Sequence, residues 1–135
     1  MLDIIWDQNY SVNIVEIDRQ HQKLAAMLDL LFEEIERGKP GRVLAEIVEE
    51  LKAYSGYHFD TEEKLLTRFN YPEYEAHKKE HDVFRVKVLE FKRDLQEKKE
   101  TLPGDVLKFM THWLTDHVIN VDKKYAPFLK AHGIF

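Results

Sequence analysis

Five histidines and one glutamate stand out by type and spacing: His21, the pairs His58/Glu62 and His77/His81, and His117. Residues four apart project side by side from one helix face, so each pair could offer two ligand atoms to one ion. Imidazole and carboxylate suit borderline divalent metals such as iron, zinc, manganese or copper. Five imidazoles and a carboxylate exceed one tetrahedral zinc site. They suit two adjacent ions, with the shared carboxylate bridging them and offsetting their mutual repulsion. The Glu-x-x-His pair of di-iron carboxylate bundles does not occur. The residues three before the histidines are Asp18, Ser55, Tyr74, Lys78 and Leu114. Neutral nitrogen donors leave more positive charge on such a metal pair, which favours reversible anion or peroxide binding over high-valent oxidation.

The composition narrows the chemistry further. The 135 residues include seven His and no Cys. A disulfide scaffold, thiolate-bound zinc, ordinary iron–sulfur clusters, Cys-anchored haem and thiol catalysis are thereby excluded. A net charge of −5 opposes a nucleic-acid footprint, which needs a basic face. The acid-bearing start lacks the basic region of a secretory signal, and no apolar run reaches the length of a membrane span. A cytoplasmic protein with no nucleic-acid partner and no membrane span is expected.

The elements that must position these residues follow from the breakers. Gly38–Lys39–Pro40–Gly41, Asn70–Tyr71–Pro72 and Leu102–Pro103–Gly104 are turn chemistry and cut the chain into four long segments. Each segment carries apolar residues at steps of three and four, as in Tyr74, His77, His81, Phe84, Val88, Phe91 and Leu95. The spacing predicts helices over about 17–37, 41–69, 73–98 and 104–122, an all-α, up-down-up-down four-helix bundle in a single domain over 1–135. Residues 1–16 form an N-terminal arm whose Ile4, Ile5, Trp6 and Tyr10 are apolar enough to lie against the bundle. The tail 123–135 adds one short helix. Gly56, inside the second segment, reads as close packing beside His58.

All six polar residues sit where the helical step places the buried core. A single such His is usually an ordinary satisfied core histidine. Six on four helices demand a shared explanation, because buried polar groups are costly without partners. Depth supports one layer: His21 lies roughly 16 residues before the first turn and His58 roughly 17 after it, both about 25 Å away. His81 and His117 differ by about 6 Å from the third turn, within one helical turn. His112/Asp116 is a competing i,i+4 pair, but the stripe through Met110, Trp113 and His117 turns it to the surface. His132 falls in the tail and is expected to face solvent.

His21 after Ile17–Asp18–Arg19–Gln20, the H-x-x-x-E of His58–Glu62, the H-x-x-x-H of His77–His81 and the H-x-x-x-x-D of His117–Asp122 together resemble the hemerythrin family. Trp6 to Val12 and Trp113–Leu114 are similar to its bacterial branch. The resemblance implies two iron ions per chain, bridged by oxide or hydroxide, that bind dioxygen reversibly for carriage, storage or supply to an oxygen-consuming enzyme, without being an enzyme. It places His77, His81 and His117 on one iron and His21 and His58 on the other, which keeps an open position. Glu62 and Asp122 bridge the two. Asp122 enters only by resemblance: five residues from His117, it lies about 140° round an α-helix from it.

Reversible binding also needs a dry pocket. Leu114, Val118 and Phe59, neighbours of His117 and His58, are the residues expected to line it, and ordinary core packing explains them equally well. Two other uses of the same site stand beside oxygen carriage: turnover of peroxide or nitric oxide, and sensing of oxygen or iron. A monomer is expected.

Overall fold

The apolar positions three and four apart wind into helices in the computed structural model, which describes residues 11–135 apart from the side chains at 42, 119 and 120. Helix α1 spans Val15–Glu36, α2 Gly41–Arg68, α3 Tyr74–Gln96 and α4 Leu102–His112. The chain then continues through a π-helical segment, Trp113–Asp122, into α5, Lys123–Ala131. Helix α1 packs against α2 and α4, and α3 against the same two. With short turns between them, this is an all-α, up-down-up-down four-helix bundle. Ile4, Ile5, Trp6 and Tyr10 of the expected arm lie outside the described residues. No helix among those described is long and apolar enough to cross a membrane.

One device makes all three interhelical turns. The residue after each helix cap is left-handed: Gly38 at φ 72°, Asn70 at 57° and Lys98 at 56°. Its N–H and the next one bond back into the last helical turn, as in Gly38 N to Ile35 O and Lys39 N to Glu34 O, both 3.0 Å. Those carbonyls would otherwise be unsatisfied. The third turn corrects the sequence reading. Pro103 and Gly104 do not break the chain but sit in the first turn of α4, where a missing proline N–H costs nothing. The break falls at Lys98, a residue type with no turn signature.

Gly56 is also corrected. A Cβ built there meets nothing within 4 Å, so no close approach to His58 requires a glycine.

Two apolar clusters fill the bundle. The larger runs from Leu24 through Leu51, Phe84 and Met110 to Val118; the smaller gathers Val12, Ile14, Ile17, Leu66, Tyr71, Tyr125, Ala126 and Leu129. The histidine layer belongs to neither.

Candidate metal centre

Each element contributes to that layer. Helix α1 brings His21, α2 His58 and Glu62, α3 His77 and His81, and the π-helical segment His117 and Asp122. All seven are buried, at most 3% exposed. The fourth segment differs from the regular helix expected, and the difference explains Asp122. A π-helix bonds i to i+5, which brings residues five apart onto one face. His117 Nε2 accordingly lies 2.9 Å from Asp122 Oδ1.

The side chains fall into two groups whose nitrogen and oxygen atoms lie within 4.8 Å of one another. One is His77, His81 and His117 with Glu62 and Asp122; the other is His21 and His58 with the same two carboxylates. Glu62 Oε1 is 3.0 Å from His58 Nε2 and 3.3 Å from His81 Nε2. Asp122 reaches His21 Nε2 with Oδ2 at 3.0 Å and His77 Nε2 with Oδ1 at 3.2 Å. His21 and His58 face each other through their Nε2 atoms at 3.0 Å.

Residues the sequence did not single out hold the outer side of these rings. His58 Nδ1 meets Gln20 Oε1 at 2.6 Å, His81 Nδ1 meets Glu63 Oε2 at 2.8 Å, and His117 Nδ1 meets Glu80 Oε1 at 3.2 Å. The Tyr125 hydroxyl donates to Glu62 Oε2. Aromatic faces cover three imidazoles: Tyr54 on His58 at 4.7 Å, Phe59 on His81 at 3.9 Å and Trp113 on His117 at 3.8 Å between ring centres. Gln20, Glu63 and Glu80 each stand beside a ligand-type residue in the chain, yet nothing in the sequence separates the two glutamates from the many solubilising acids. Leu114 and Val118 are fully buried in the larger apolar cluster. Phe59 stacks on His81, and Tyr54 takes the face of His58. His112, Asp116 and His132 are exposed and stay outside the layer.

Burial and charge compete here. Burial pushes His58 below its ordinary value. It acts the same way on His117, but Asp122 and Glu80 overcome it and push that imidazole up to about 10. His81 is also raised, burial being outweighed by the nearby carboxylates of Glu62 and Glu63. Burial works to raise Asp122, as does Glu62, yet His117 and His21 hold it down at about 2. Glu62 is held well below the carboxylate range against its burial, through His58, His77 and His81.

A metal fits this arrangement. Glu62 Oε1, both Asp122 carboxylate oxygens and the Nε2 atoms of His77, His81 and His117 are buried without hydrogen-bond partners. So many orphaned polar atoms in one dry core are costly. Cations among them would satisfy all six at once. An imidazole whose outer N–H is held by an acceptor has the form of a metal ligand, its other nitrogen bearing a free lone pair. The nitrogen-rich donor set suits iron, zinc, manganese or copper over calcium or magnesium.

Comparison with known proteins gives a consistent result. Residues 12–129 match the family model described as the hemerythrin HHE cation binding domain. A bacteriohemerythrin of Pseudomonas paraeruginosa is 34% identical over 131 residues, covering 96% of this chain and 84% of that protein. One from Clostridium acetobutylicum is 29% identical over 126 residues, covering 90% and 97%. A crystal structure of wild-type hemerythrin superposes with a TM-score of 0.81 at 25% identity, over 93% of this chain and 96% of that one.

Proposed function

The chain belongs to the hemerythrin family, and from that premise we propose that its buried cluster holds two iron ions and binds dioxygen reversibly, for carriage, storage or supply to oxygen-consuming enzymes. The observation that carries the proposal is the division of seven buried side chains into two groups that share Glu62 and Asp122. His77, His81 and His117 are the nitrogen ligands of one position, and His21 and His58 those of the other. Glu62 and Asp122, common to both groups, would hold both ions. When bound, the iron pair supplies two electrons and, at the two-histidine position, room for dioxygen.

The chain's own groups do the rest. Glu63, Glu80 and Gln20 take the outer N–H of three imidazoles and so turn the opposite lone pairs inward. Tyr125 holds the second oxygen of Glu62 and fixes the carboxylate's orientation. Leu114, Val118 and Phe59, each 0% exposed, keep water from the layer. A dry site denies stray protons to a reduced oxygen ligand, which is the condition for releasing it unchanged.

Metal analysis of protein produced in iron-supplied cells, followed by visible spectra of the reduced protein mixed with air, tests the proposal. Two irons per chain and an absorption band that vanishes on deoxygenation are expected. One zinc per chain would overturn the metal assignment. Rapid decay of the band with steady peroxide consumption would replace carriage by turnover.

A further inference from the structure

The three outer acceptors differ in charge, and that difference assigns a role to Gln20. We infer that Gln20 is a positioning residue that backs His58 with an uncharged acceptor, making the two-histidine position a weaker electron donor than the three-histidine position. The inference rests on the proposed iron pair.

The orientation of the Gln20 amide is determined by its neighbours. Its Nε2 lies 3.1 Å from Glu16 Oε1 and 3.3 Å from Thr61 Oγ1. The Thr61 hydroxyl already donates its proton to Tyr57 O at 2.8 Å, so toward Gln20 it can only accept. An ionised Glu16 carboxylate also only accepts. Both therefore require the NH2 of Gln20, which leaves Oε1 facing His58 Nδ1 at 2.6 Å. His58 must then donate from Nδ1 and keep its Nε2 lone pair for the interior. The amide does this without adding charge.

The other position is backed differently. His81 donates to Glu63, whose carboxylate also meets Arg85 at 2.9 Å, and His117 donates to Glu80. A carboxylate acceptor makes an imidazole a more basic ligand, and bonds to an ionised acceptor are about twice as strong as bonds to a neutral one. A metal at His58 therefore receives less electron density than one at His81 and His117. Such a metal would give up an electron less readily.

The test compares Glu16→Gln with Glu16→Gln/Gln20→Glu, so that the new carboxylate does not face another. The added charge should lower the midpoint potential of the iron pair by about 59 mV, a tenfold shift in the one-electron ratio, with two irons retained. An unchanged midpoint at full iron loading overturns the inference, and so does a double variant that no longer takes up two irons when Glu16→Gln does. A second measurement uses zinc-loaded protein and the exchange-protected His58 Nδ1–H proton in NMR spectra. That signal should be present in the wild type and lost in Gln20→Leu; its persistence in Gln20→Leu overturns the bond. Failure of the wild type to hold iron sinks the iron reading instead, while the zinc spectra still decide the role of Gln20.

Discussion

Two stretches of this chain deliver ligand-type side chains to one buried layer by different backbone means. In α2 and α3 regular helical turns put His58 with Glu62, and His77 with His81, four residues apart on a face. Between Trp113 and Asp122 the helix is π, and His117 meets a carboxylate five residues on. The electrostatics diverge as well: burial lowers His58, while His117 is held up near 10 by Asp122 and Glu80. The contrast is that the regular helices build a frame, while the irregular one brings into the layer a carboxylate that the frame's periodicity would have turned away. Rare helical geometry at a functional site is a common correlate of such demands.

Asp122→Ala attacks the contrast most directly. It removes a donor shared by both groups and should reduce metal content from two ions to one or none per chain, measured by elemental analysis. Asp116→Ala, an exposed acid of the same segment, should leave the content unchanged. Two ions retained in Asp122→Ala would break the view that the π-helix serves to deliver this carboxylate. Leu114→Ala, in the same segment, should cost about 2–5 kcal/mol of stability by denaturant titration. It should also speed bleaching of the oxygenated protein, and an unchanged bleaching rate would remove Leu114 from the pocket.

The pH dependence of the metal-free protein sharpens the contrast on a gentler scale. His117 is raised in the folded state, so its contribution is complete below the ordinary pKa of about 6.5 and is lost as pH rises through about 10. His58 is lowered, so its contribution is complete above about 6.5 and is lost as pH falls through its depressed value. Asp122 contributes above about 3.8, and that contribution is lost as pH falls through about 2. Melting temperatures in the presence of chelator should therefore fall on both sides of neutrality. Asp122→Asn should flatten the alkaline side, and an alkaline limb equal to that of the wild type would refute the assignment to His117. The smallest effect belongs to the regular stretch: Gly56→Ala should stabilise by about 1 kcal/mol, since nothing crowds the added methyl. A loss of stability there would reveal a demand on α2 that its packing does not show.

How much of this was legible in the sequence follows the same division. The three-and-four step exposed the bundle, because each core-facing residue of a regular helix repeats with it. It also isolated six of the seven buried donors, because polar residues on an apolar stripe are conspicuous. Asp122 was invisible to periodicity, since its position depends on a backbone state that no local residue announces; only the family resemblance pointed to it. Lys98 was placed only as the end of the third helix: a lysine carries no turn signature, so its left-handed backbone could not be read from its type. Gln20, Glu63 and Glu80 could not be told from surface residues, because their role is defined by which ring they face across the bundle.

The face-to-face stack of Trp113 on His117, 3.8 Å between ring centres and 11° from parallel, has an optical consequence. An indole in van der Waals contact with a ligating ring should lose its emission to an open-shell ion at that ring and keep it beside a closed-shell one. The chain holds one other tryptophan, Trp6, so Trp6→Phe leaves a single emitter. Its fluorescence should be dark with iron and bright with zinc. On the proposed assignment, Trp113 would report which ion sits beside His117.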